Sequence, residues 1–323
     1  MLTPSPDDLD LIVRAAWAYY MDGLTQAQIA GRLFVSRQTV GRLLDSARHL
    51  GVVRVEINAS YLGAYERALR LRDRLGLLDA IVVPGPVDAE PGRVNERVAA
   101  ALAAYVRRYL HPGAVVGVGW GDTVARALAM LAPESLDDVT LASAAGSIQI
   151  LTESLNGSVA ARLRVVPAPL IVSSAQVASV LRQEQSVREV LDLAASAVVT
   201  LTGIGSADPR TASAVRRGVV TSADVERFAA AGAVGDMLGE WFDLRGHVVP
   251  VTSDRRIGLR LEQLRAMPNV VGVAAGLDKV TAIKGAVAGR LIKVLITDDP
   301  TAQAILDSTP AVPDPRRHAR HVR

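Results

Sequence analysis

Between Thr25 and Leu50 the chain reads TQAQIAGRLFVSRQTVGRLLDSARHL, and its apolar positions fall on two short helical faces separated by a very tight turn. The first helix opens at Thr25, with Gln28 placed to complete a capping box, and ends near Leu33. Ser36 caps the second, whose Val40, Leu43, Leu44 and Ala47 make one buried face opposite Ile29, Ala30 and Leu33. Arg37, Gln38, Gly41, Arg42 and Asp45 are left facing outward. This is the pattern of a helix-turn-helix, and Ser36, Arg37, Gln38, Thr39 and Arg42 are its expected DNA-binding residues. Arginine can pair with guanine and glutamine with adenine in the major groove, while the hydroxyls suit phosphate oxygens. One position departs from the usual motif: Phe34 stands in the turn where glycine is common, so either the turn is wound differently or the ring is tucked against the first helix of the domain.

The flanking pattern completes a small domain. Leu9 to Met21 carries Leu9, Ile12, Val13, Ala16, Trp17 and Tyr20 at helical spacing, and Val52 to Ile57 alternates like the strand of a wing. Tyr61 to Leu75, with Leu62, Tyr65, Leu69 and Leu75 between charges, predicts a connecting helix. The pattern then changes to short apolar runs separated by helical stretches. Strands are expected at Ala80–Val83, Ala114–Val118, Val139–Ala142, Ala197–Leu201, Val270–Val273 and Leu291–Ile296, with helices running to Tyr109 and Leu131 after the first two. Such alternation predicts an α/β domain with a mostly parallel sheet, in which ligands collect at the carboxyl ends of the strands. The expected organisation is a winged helix-turn-helix over 1–59, a linker helix over 60–78, an effector-binding domain over 79–310 and a basic tail over 311–323.

Three expected strands run into glycine-containing loops, at Gly117–Thr123 (GVGWGDT), Thr202–Asp208 (TGIGSAD) and Val273–Lys279 (VAAGLDK). In the first, a backbone free of side chains meets the start of a helix, a combination that suits a phosphate or a polyol oxygen. Asp122 opposes a phosphate there unless it faces away as a helix cap. Trp120 could stack on a sugar face or fill the core.

Composition narrows the picture. Half of the 323 residues are hydrophobic, enough for two folded domains, and no cysteine is present, which excludes disulfides, thiolate metal sites and cysteine nucleophiles. The start, MLTPSPDDLD, resembles no export signal and no segment has membrane-spanning length, so a cytoplasmic location and no membrane partner are expected. The net charge is +3, yet over 1–59 Arg14, Arg32, Arg37, Arg42, Arg48 and Arg54 are balanced by Asp7, Asp8, Asp10, Asp22, Asp45 and Glu56. DNA binding therefore depends on where the arginines sit rather than on bulk charge. Lysine occurs only at Lys279, Lys284 and Lys293. His318 and His321 in the tail have metal-like spacing but read as solvated, and neither a metal nor a cofactor is expected.

With these pieces placed, the chain resembles the SorC family (SorC/DeoR group) of sugar-responsive bacterial transcription regulators over nearly its full length. The resemblance rests on four ordered blocks: VSRQTVGRLLDSARHLGVVRV, GVGWGDT, TLTGIGS followed by GAVGDMLGEWFD, and AAGLDKVTAIKGAVAGRLIKVLITDD. It implies an effector domain similar in its Rossmann-like fold to glucosamine-6-phosphate deaminase and ribose-5-phosphate isomerase, a carbohydrate or sugar-phosphate effector, operator double-stranded DNA as partner, and a homo-oligomer, tetramer or dimer. By motif match it implies that Gly119, Trp120, Gly121 and Thr123 line the phosphate end, that Gly203 and Gly205 border the pocket, that Asp236 accepts sugar hydroxyls and that Lys279 supplies a cation. The expected function is control of a carbohydrate or polyol catabolic operon. The alternative is a phosphosugar isomerase or deaminase-like enzyme with an accessory DNA-binding domain, for which the sequence offers no acid and base pair and no expected catalytic residue.

Overall fold

A computed structural model describes residues 6–54, 59–85, 90–147, 157–160 and 162–309. The chain divides into two compact units, Met1–Asn58 and Ala59–Arg323.

The first unit is built on α1 (Pro6–Tyr20), α2 (Gln26–Leu33) and α3 (Arg37–His49). Helix α2 starts where the capping box predicts: the Thr25 hydroxyl accepts the Gln28 N–H at 3.3 Å and Gln28 Oε1 accepts the Thr25 N–H at 2.9 Å. Ser36 caps α3, its hydroxyl accepting the Thr39 N–H at 3.0 Å. Ile29, Val40 and Leu44 form the core with Ala15 and Ala18 of α1, while Ile12, Ala16 and Ala47 form a second cluster. Helix α1 therefore presents only part of the expected face, with Ile12 and Ala16 buried as expected. Alanines lie inward, where they let the helices approach closely, and Leu9, Val13, Trp17 and Tyr20 are exposed. The turn before α3 also differs from both alternatives set out for it. Phe34 adopts the left-handed conformation usual for glycine (φ 56°, ψ 38°), and its side chain is 95% exposed rather than tucked in. Of the strand expected at 52–57, Val52, Val53 and Arg54 are not in a strand, and residues 55–57 lie outside the described residues.

The second unit begins with α4 (Ala59–Leu75). This helix is more than a linker, because Ala64, Ala68 and Leu71 are buried in the core of the unit and Arg67 makes a bidentate ion pair with Asp299 (Nη2 to Oδ2 2.7 Å). Leu62 and Tyr65, expected among its apolar contacts, are exposed instead. Seven parallel strands follow: β1 (Asp79–Val83), β2 (Val115–Val118), β3 (Thr140–Ser147), β4 (Leu163–Pro169), β5 (Val199–Gly203), β9 (Val270–Val273) and β10 (Val294–Asp298), ordered β1-β10-β9-β5-β2-β3-β4. Strand β4, absent from the expected set, contains Pro167 and Pro169; it lies at the sheet edge, where a missing N–H is tolerated. A small antiparallel sheet is formed by β6 (Gly205–Ser206), β7 (Gly235–Met237) and β8 (Glu240–Phe242). Helices α5 (Pro91–Val106) and α6 (Asp122–Ala129) follow β1 and β2.

From β2 the chain moves outward through β3 to β4, whereas from β5 it moves the other way through β9 to β10. The boundary between β2 and β5 is thus a topological switch point, where the loops leaving the strands diverge and open a crevice.

Candidate functional site

In the first unit the candidate DNA-reading surface is the start of α3. Arg37, Gln38 and Arg42 are exposed, and Thr39 is half-buried. The Ser36 hydroxyl is engaged as the helix cap and lies 2.8 Å from Thr39 Oγ1, which also receives Arg42 Nη2 at 3.4 Å. These contacts fix the first turn and leave Arg37 and Gln38 projecting from a helix N-terminus, the part of a helix-turn-helix that enters the major groove. Asp45, the one acid on the outward face, is paired with Arg48 at 2.5 Å.

In the second unit a cavity of about 380 Å³ opens at the switch point. Of the expected effector residues, Trp120, Gly121, Thr123, Gly203, Gly205, Asp236 and Lys279 line it together, although they come from four separate stretches of sequence. Gly119 does not. It sits below the floor, where a Cβ would stand 2.7 Å from Leu238 Cδ2 and 2.8 Å from Thr202 Cβ, so its requirement is packing between β2, β5 and the β7–β8 turn.

Each wall has a local cause. Trp120 is 6% exposed and belongs to the hydrophobic core as well as to the cavity. It is therefore held rigidly, with little entropy left to lose on contact with a ligand. Gly203 N–H bonds to Trp120 C=O at 3.3 Å and locks the β5 ending to the β2 ending. Helix α6 starts immediately after Gly121, and Ala125 N–H bonds back to Gly121 C=O, so the earlier amides of the first turn lie beyond the intrahelical bonding pattern. Asp122 is not the helix cap and itself lines the cavity, but its carboxylate is ion-paired with Arg217 at 2.6 Å and Arg126 at 3.0 Å, which offsets its charge toward an anion.

Asp236 lines the cavity from β7. The pairing of β6 with β7 sets Asp236 opposite Gly205, leaving Oδ1 fully buried with no hydrogen-bond partner. Burial pushes the carboxyl up to about 7, against the opposing pull of the Lys279 ammonium and the Gly239 N–H. Lys279 stands at the end of the short turn Leu277–Lys279. Its Nζ lies 3.1 Å from Asp278 Oδ2, close enough for ion pairing but not aligned for a hydrogen bond, and it is otherwise buried without a partner. The loop that carries it is fixed at Gly276, whose N–H donates to Asp298 Oδ1 at 3.0 Å and to Thr301 Oγ1 at 2.9 Å.

Sequence reading missed several lining residues, among them Asn95 on α5, Arg216, and Asp298 at the end of β10. Asp298 carried a signal, since it ends a strand of the kind already suspected. Arg216 and Asn95 carried none, because they reach the cavity from helices remote in sequence. Arg216 is exposed and has no ion-pair partner among the described residues.

A helix-turn-helix in one unit and a preformed cavity with a few convergent polar groups at a sheet switch point in the other define the class of ligand-responsive DNA-binding regulators. The model of the family described as "Putative sugar-binding domain" matches residues 60–307. The transcriptional regulator LsrR of Klebsiella pneumoniae subsp. pneumoniae is 36% identical over 304 residues, covering 92% of this chain and 93% of that protein. LsrR of Escherichia coli K12 is likewise 36% identical, covering 92% and 94%. Among solved structures, the full-length sorbitol operon regulator SorC from Klebsiella pneumoniae superposes with a TM-score of 0.69 at 27% identity, covering 94% of this chain and 100% of that one. The chain belongs to the SorC/DeoR family of sugar-responsive, DNA-binding transcriptional regulators. That membership sets aside the isomerase or deaminase reading.

Proposed function

We propose that the protein controls a carbohydrate or polyol catabolic operon by binding a sugar or sugar-phosphate effector in the 380 Å³ cavity. The observation that carries this reading is the pair of unsatisfied groups at the cavity wall, one a carboxyl and one an ammonium. Asp236 Oδ1 and Lys279 Nζ are both buried without hydrogen-bond partners, a costly arrangement that a polyhydroxylated ligand relieves from both sides. Sugar hydroxyls donate to Asp236, and Lys279 donates to a sugar oxygen. Trp120 offers a fixed apolar face to the ring, and Gly203 and Gly205 let the ligand lie against backbone. The other end of the ligand meets Gly121, Thr123 and the start of α6, where free amides and the helix dipole favour a phosphate.

Ser36, Arg37, Gln38, Thr39 and Arg42 contact operator DNA in this reading, with Arg37 and Gln38 reading base edges and the others holding the backbone. The protein acts in the cytoplasm as a homo-oligomer, dimer or tetramer, presenting more than one recognition helix to repeated half-sites. The effector changes DNA affinity through its differential affinity for two arrangements of the oligomer. A thermal-shift screen of the purified protein against sugars, polyols and their phosphates tests the ligand class. A saturable rise in Tm with one of these, abolished in Asp236→Ala, is expected; a Tm indifferent to all of them, in a protein that still binds DNA, would remove the proposed class.

A further inference from the structure

The second cavity of the effector unit, about 180 Å³, shares no lining residue with the first. Arg182, Arg188, Arg256 and Arg260 all line it, against a single carboxylate, Asp192. Nothing in the family reading of the chain uses these residues. Arginine is usually paired when partly buried, because each guanidinium carries a full charge and five donors. Here only Arg256 has an ion-pair partner within 4 Å among the described residues, Glu240 at 3.5 Å.

The four cations are held in two ways. Arg182 and Arg256 are structural at one edge. Arg182 donates to the carbonyls of Ser253, Asp254 and Arg256 at 2.9, 3.1 and 2.6 Å, and Arg256, almost fully buried, donates to the carbonyls of Leu238 and Leu259 at 3.2 and 2.8 Å. Even so, Arg256 Nε is buried with no acceptor. Arg188 and Arg260 are exposed at the rim and have no ion-pair partner among the described residues. The arginines repel one another: after burial, the Arg260 charge is the next largest influence drawing down the Arg182 guanidinium, against Asp254 and Glu240, and Arg182 and Arg260 both draw down Arg256, where Glu240 is the larger, opposing influence. Backbone carbonyls satisfy hydrogen bonds but carry no net charge, so the repulsion is not cancelled by them.

We propose that this cavity is a second ligand site, one that binds a small phosphate-type oxyanion, either inorganic phosphate or a small phosphomonoester. Such an ion supplies the missing negative charge, offers acceptors in several directions, and matches planar guanidinium donors in bidentate geometry. A concave site of this size with a buried arginine at its wall fits a compact anion and is too small for a polymer backbone. Asp192 sets the limit on affinity, since its carboxylate repels the ligand.

The test uses the full-length protein at constant ionic strength, with potassium phosphate titrated against potassium chloride by thermal shift and calorimetry. Arg182 and Arg256 are unsuitable targets because they hold backbone; Arg188→Gln, Arg260→Gln and their combination remove charge from the rim only. Saturable phosphate binding above the chloride control is expected, weakened at least tenfold in the double variant and strengthened in Asp192→Asn. A parallel titration with glycerol phosphate separates the sources: tighter binding than phosphate identifies a phosphomonoester, weaker binding the free ion. Absence of a saturable response overturns the proposal. So does a response that survives in the double variant but is lost in Arg216→Gln, which would place the anion in the effector cavity.

Discussion

Asp236 and Gly205 face each other across the β6–β7 pair so closely that a Cβ at position 205 would overlap Asp236 Oδ1. The glycine makes room for the carboxylate, and the carboxylate faces the cavity because of that room. Gly205→Ala is therefore expected to leave the parallel sheet intact, displace Asp236 and lower effector affinity at least tenfold, equivalent to about 1.4 kcal/mol. Calorimetric titration of the variant checks this; unchanged affinity would mean that Asp236 does not depend on that space.

The raised Asp236 carboxyl makes stability fall with pH. An unfolded aspartate loses its proton near pH 4, whereas the folded group holds it to about 7. Between those values the native state binds the extra proton, so unliganded stability declines by up to about 1.4 kcal/mol per pH unit and then levels off. Effector affinity runs the opposite way, rising from pH 5.5 to about 7.5, because donated hydroxyl hydrogen bonds favour the ionised form. Denaturant melts across that range, with Asp236→Asn as reference, should show the wild-type slope and its loss in the variant. Parallel slopes would show that Asp236 titrates normally.

The charge of Asp122 toward an anion is offset by Arg217 and Arg126. Arg217→Ala removes half of that offset and adds negative potential at the start of α6. A phosphorylated effector should then bind roughly threefold to tenfold more weakly, on the order of 1 kcal/mol, while its unphosphorylated parent is unaffected. Equal loss for both ligands would mean that this end of the cavity does not receive a phosphate.

Phe34 combines left-handed backbone with an exposed ring. Strain of that kind is relieved by glycine, and no packing is lost, so Phe34→Gly should stabilise the Met1–Asn58 unit by about 1 kcal/mol in denaturant melts. A destabilised variant would show that the ring makes a stabilising contact.

The sequence was most informative where local rules decide structure. Thr25, Gln28 and Ser36 announced two helix starts through capping chemistry that depends only on near neighbours, and the apolar runs marked six of the parallel strands, although Val139–Ala142, Ala197–Leu201 and Leu291–Ile296 ended short of the observed strand ends. It was least informative where tertiary context chose between faces. Whether alanines or aromatics of α1 turn inward depends on how near α3 comes, and periodicity alone favoured the larger residues. The same holds for α4, where Ala64 and Ala68 are buried in place of Leu62 and Tyr65. In the cavity, loops at strand ends could be read from glycines, and Asp236 and Lys279 from the family blocks. Arg216 and Asn95 could not, since only the folded topology brings them there.

The most direct test of the account is to measure affinity for DNA from the protein's own promoter, with and without the best ligand from the screen, in wild type and Asp236→Ala. A ligand-dependent change in wild-type affinity that disappears in the variant, while the variant's ligand-free DNA binding stays intact, is the predicted result. A ligand that binds through Asp236 yet leaves DNA affinity unchanged would contradict effector control of DNA binding.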